Sequence, residues 1–106
     1  MSQVKIDKTL RGKVTFDDLS ELLSGKSLDT DIYLLKEDLL QVSYGSGYLL
    51  DVGWYPEFKL SGEFSIFVIK NEDWEHPEAR VFAKEKKSLM LILRALDGML
   101  ERQVGL

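Results

Sequence analysis

The run Glu63-Phe-Ser-Ile-Phe-Val-Ile-Lys70 leaves this chain few choices of fold. Its β-branched and aromatic residues read as a strand, and strand side chains alternate between faces, so Phe64, Ile66 and Val68 point one way while Phe67 and Ile69 point the other. Both faces of the sheet that holds this strand are therefore apolar here and both need cover. Helices can supply one layer. The other face falls to the N-terminal segment, to loops, to a second copy of the chain or to a partner.

The rest of the chain is read around that strand. Thr15 as N-cap with Asp18 three residues on, Phe16, Leu19, Leu22 and Leu23 at helical spacing, and Gly25 at the left-handed C-terminal position predict a helix over 16–24, after an edge strand at 4–6. Further strands are expected at 32–35, 39–44, 48–55 and 80–84, separated by turn-forming residues. Gly45-Ser46-Gly47 is short enough for a tight hairpin, and 56–62 and 71–77 for longer ones, so successive strands should pair antiparallel as a meander. Ser88 is a suitable N-cap for a closing helix whose stripe is Leu89, Ile92, Leu93, Leu96, Met99 and Leu100, with Lys86, Lys87, Arg94, Glu101 and Arg102 on its other side. The expected fold is α+β: an antiparallel meander of four to five strands with an N-terminal and a C-terminal helix packed on one face. At 106 residues, 44% of them hydrophobic, the chain is expected to form a single domain with one core.

Charge is divided unevenly along it. From Asp29 to Glu78 there are eleven acids and three bases, net −8; the remainder has seven acids and eleven bases, net +4, and the two parts give the whole-chain −4. Both tryptophans and all four tyrosines lie inside the acidic segment. Acids mixed with large amphipathic rings suit a surface that captures a basic protein, although a buried aromatic core beneath a solvated acidic face gives the same composition.

Most catalytic chemistry lacks its residues. With no cysteine there is no disulfide, thiolate nucleophile or cysteine-ligated metal, and a reducing cytoplasm fits. The polar N-terminus has no apolar signal core, and no stretch is long and apolar enough for a membrane span. His76, the one histidine, sits in a polar loop without a serine in nucleophile context, and Gly45-Ser-Gly47 lacks the lysine and following helix of a phosphate cradle. Asp51 with Glu57, or Glu72 with Asp73 and Glu75, are carboxylate pairs without a calcium-loop pattern. The acidic balance disfavours nucleic acid, Lys84, Lys86 and Lys87 notwithstanding. No catalytic residue, metal or cofactor is expected.

Two stretches stand out. In Asp51-Val-Gly-Trp-Tyr-Pro-Glu57, Gly53 in mid-strand marks a bulge or a close approach to the backbone, Trp54 suits the core, and Asp51 interrupts an apolar run. In Asn71-Glu-Asp-Trp-Glu-His-Pro77, Trp74 stands among carboxylates, as either a core anchor or an exposed binding anchor. These stretches, with Gly62, the apolar strand after it and the closing amphipathic helix, resemble small bacterial immunity proteins that accompany polymorphic or contact-dependent inhibition toxins, over residues 51–103. The resemblance implies a cytoplasmic protein that binds and blocks one cognate toxin domain, often a nuclease. From charge and aromatic content, the expected partner-binding residues are Asp51, Tyr55, Glu57, Glu72, Asp73, Trp74 and Glu75, with the free protein a monomer or weak homodimer. A small homodimeric binding or scaffold domain is the alternative, and a small enzyme ranks third.

Overall fold

The structure, a computed structural model, describes residues 4–25 and 27–103. Five strands, β1 (Lys13–Asp17), β2 (Leu40–Ser43), β3 (Tyr48–Tyr55), β4 (Glu63–Lys70) and β5 (Ala79–Ala83), form one antiparallel sheet in chain order, so the topology is the expected meander. A short helix α1 (Leu19–Ser24) follows β1, and α2 (Lys86–Gln103) closes the chain. Among the described residues no helix is long and apolar enough to cross a membrane.

Register shows which side chains share a face. Val42, Leu50 and Val68 are successive cross-strand partners, as are Leu40, Val52, Ile66 and Val81, and Trp54 lies opposite Phe64. This face is the core side: Leu19 and Leu22 of α1 and Leu89, Leu93 and Leu100 of α2 join it in one buried cluster. Trp54 is buried as expected, its ring edge-on to Phe64 at 4.9 Å and its indole N–H donating to the Lys59 carbonyl at 2.7 Å. The N-terminal segment covers the same face, since Ile6 and Leu10 belong to that cluster.

The N-terminal elements differ from the sequence expectation. Val4–Ile6 is not a strand; Ile6–Lys8 is one 3-10 turn. Thr15 does not cap a helix and Phe16 is not helical: both lie in β1, where Phe16 pairs with Gln41 across a bulge. The helix starts at Leu19, and Asp17 does the capping, accepting from the Ser20 N–H at 2.8 Å and from its hydroxyl. Gly25 ends the helix in extended rather than left-handed backbone. Residues 32–35 are not a strand; Ile32–Leu34 is a 3-10 turn, with the Leu34 N–H donating back to the Asp31 carbonyl. At the other end α2 begins two residues before Ser88, and Met99 is exposed because the buried side of the helix runs through Leu89, Leu93, Asp97 and Leu100.

Gly53 marks a close approach, not a bulge, since β3 pairs with β4 without a break in register. The segment before β2 runs beside it: Trp54 N–H donates to the Lys36 carbonyl at 2.8 Å, and a Cβ on Gly53 would lie 1.9 Å from the Glu37 carbonyl oxygen. Backbone cannot yield as a flexible side chain does. Gly53→Ala should therefore lose about 2–3 kcal/mol of stability in denaturant unfolding, as overpacked sites do. Gly98 gives the opposite expectation. It lies inside α2 with open space around its Cβ position apart from the tip of Arg102 at 3.5 Å, and Gly98→Ala should raise stability by about 0.5–1 kcal/mol. Equal effects at the two glycines would contradict this packing account.

Candidate partner-binding face

Among the described residues the reverse face of the sheet carries no helix. One row of cross-strand partners crosses it from edge to edge: Phe16, Gln41, Asp51, Phe67 and Arg80. The neighbouring row is Gly53, Ser65 and Phe82. Across these two rows a shallow cleft forms, lined by Asp51, Tyr55, Phe67, Trp74, Pro77, Arg80 and Phe82. Phe82 is 52% exposed, Trp74 49% and Tyr55 38%, so the walls of this cleft are apolar rings open to solvent.

Trp74 reaches the cleft from the β4–β5 loop. Positive φ at Asn71 and Glu72 reverses the chain just after β4, and the Asp73 N–H donates to the Lys70 carbonyl, so the loop folds compactly at the sheet edge. His76 stays exposed in this loop with its Nδ1 3.2 Å from an Asp73 carboxylate oxygen. The loop tryptophan is thus neither core nor fully free; it forms a half-exposed wall.

Asp51 is the unusual member. It is 8% exposed in mid-strand, and Gln41 Nε2 donates to its Oδ1 at 3.2 Å. No lysine or arginine pairs with it among the described residues. Burial pushes its pKa above the ordinary carboxylate value and the charge of Asp38 adds to this, against the opposing effect of the Gln41 hydrogen bond. Tyr55 is also shifted upward, first by burial and then by the charges of Asp51, Glu37 and Asp38, which places three carboxylates around one end of the cleft.

The upward shift of Asp51 makes a stability statement. The folded protein holds this proton to a higher pH than the unfolded chain does, so stability falls as pH rises through the window between the unfolded and folded values and stays lowered at neutral pH. Asp51→Asn should melt no lower than the parent at pH 7, and any gain should vanish in acid, where both side chains are neutral. A variant that melts well below the parent at pH 7 would contradict a carboxylate held at a cost to the fold.

Of the seven residues expected from sequence, the structure brings Asp51, Tyr55 and Trp74 together in this cleft. Glu57, Glu72, Asp73 and Glu75 do not line it; they are exposed in the β3–β4 and β4–β5 loops that flank it. Sequence reasoning missed Phe82, Arg80 and Pro77 as members. The signal for Phe82 was its alternation with Val81 and Ala83, visible once β5 is placed at the sheet edge. No protein-family model, curated protein or solved structure matches the chain.

Proposed function

We propose that this chain is an immunity protein that binds a basic toxin domain, a nuclease by preference, and occludes its active site with the open face of the sheet. The observation that carries the reading is the cleft itself, in which a buried carboxylate and half-exposed aromatic rings meet on a sheet face without a covering layer. Nuclease sites are cationic, so the acids of the flanking loops would speed encounter and the rings would hold the complex once water is expelled. The reaction is inhibition by occlusion, and the protein itself contributes no catalytic residue. The cytoplasm, which a cysteine-free chain fits, is where it would act.

Uncovered apolar side chains also favour a second reading, self-association through the same face to make a scaffold. Charge weighs against it, because Asp51, Glu37 and Asp38 outnumber Arg80 around this cleft, so two copies would meet with an excess of acid. The test is co-expression with the toxin domain encoded beside this gene, joined to sedimentation of the free protein. Restored growth and a monomer support the immunity reading. A concentration-independent dimer that gives no protection supports the scaffold and overturns it.

A further inference from the structure

We infer that the cleft is a socket for one arginine side chain of the partner, with Asp51 as the carboxylate that receives the guanidinium and Tyr55, Trp74 and Phe82 as the rings that enclose it. This rests on the reading that the open face docks a basic protein, and it names the chemistry of the contact. Three features converge. The Asp51 carboxylate is nine-tenths buried, opens into the cleft, and among the described residues accepts one side-chain hydrogen bond, at Oδ1, which leaves Oδ2 to receive another donor. The acids at this end of the cleft, Glu37 and Asp38, reinforce the attraction for a cation. The third feature is Phe67, whose ring already has the Arg80 guanidinium over it at 6.0 Å, so the floor accepts this planar cation in the free protein.

Arginine fits better than lysine for physical reasons. A guanidinium is planar, weakly hydrated and able to donate two parallel hydrogen bonds to one carboxylate while its faces lie against aromatic rings. An ammonium is a compact, strongly hydrated point charge and gains less from such walls. Arg80 is a like charge to the incoming group, and it stands across Phe67 from Asp51 rather than paired with it. Removing its charge should help the arginine to bind.

The experiment is an NMR titration of the labelled full chain at constant ionic strength with Nα-acetyl-arginine amide, and with its lysine and citrulline counterparts. Saturable shifts at the Trp74 indole N–H and the Asp51 and Phe67 amides are expected with arginine, at a dissociation constant on the order of millimolar. Citrulline, which is planar but neutral, should give none, and lysine should bind more weakly. Asp51→Asn should weaken the arginine response about tenfold or more, and Arg80→Gln should leave it equal or tighter. Linear shifts with arginine, equal responses to lysine or citrulline, an unchanged Asp51→Asn titration, or loss of binding in Arg80→Gln would each overturn the socket. Its failure is distinguishable from that of the immunity reading: toxin protection without an arginine response removes only the socket, and an arginine response without protection removes only the toxin.

Discussion

Asp97→Ala should lose about 3 kcal/mol or more of folding stability, because three donors depend on this one buried carboxylate. Asp97 projects from the core side of α2 and is 5% exposed. The Arg11 N–H donates to both of its oxygens, at 3.1 and 3.0 Å, the Gly12 N–H to Oδ1 at 3.1 Å, and the Tyr44 hydroxyl to Oδ1 as well. One side chain thus ties the N-terminal segment, the end of β2 and the closing helix. Gly12 is part of the arrangement, since a Cβ there would meet the Tyr44 ring at 2.5 Å. Truncation strands all three donors, the Tyr44 hydroxyl buried and the two backbone N–H groups part-buried, and a buried donor left without a partner costs about 1–3 kcal/mol, less where water reaches it. Tyr44→Phe removes one donor and leaves the backbone pair satisfied, so it should cost about 1 kcal/mol. Denaturant unfolding of the two variants measures both. A loss at Asp97→Ala no larger than at Tyr44→Phe would mean that the backbone donors find other partners and that the tie is not what fixes the N-terminal segment.

This tie also shows where the sequence stops being legible. Strands β3 and β4 were readable to the residue because their signals are local: alternating apolar side chains bounded by Gly45–Gly47, Pro56 and Gly62. Asp97 lies within a helical pattern, and its partners are 53, 85 and 86 residues away, so nothing near it announces that it faces inward. Its place on the buried side also explains Met99, which fits the helical spacing yet is exposed. Near the N-terminus the error had the opposite cause. Phe16 continues the spacing of Leu19, Leu22 and Leu23, but β2 offers an edge that needs a neighbour, and pairing with Gln41 outweighed the local helical pattern. At the candidate site, the two-sided pattern of β4 announced an uncovered face, whereas the fourth aromatic ring and Arg80 became visible only through the register of β5.

The second large effect concerns binding, and it separates rings from charges. On the proposed immunity reading, Trp74→Ala should weaken binding of the toxin domain by about 2 kcal/mol or more, chiefly through faster dissociation, because a ring that becomes desolvated at the centre of a contact is lost. Reversal of Glu72, Asp73 and Glu75 to lysine should act on the other rate: these acids are exposed outside the cleft, so they steer the approach without packing against the partner. Association should slow about tenfold or more at low salt, and the difference should narrow as ionic strength shortens the range of the field. Thermal melts supply the control. Trp74 is 49% exposed and outside the core cluster, so its alanine variant should melt close to the parent. Stopped-flow kinetics against the purified domain encoded by the adjacent gene read both rates. An unchanged association rate in the triple reversal, together with a Trp74→Ala variant that unfolds, would make this loop a structural cover for the sheet. The capture surface would then have to lie around Tyr55 and the acids beside it, where Asp51, Glu37 and Asp38 keep their charge in the triple variant.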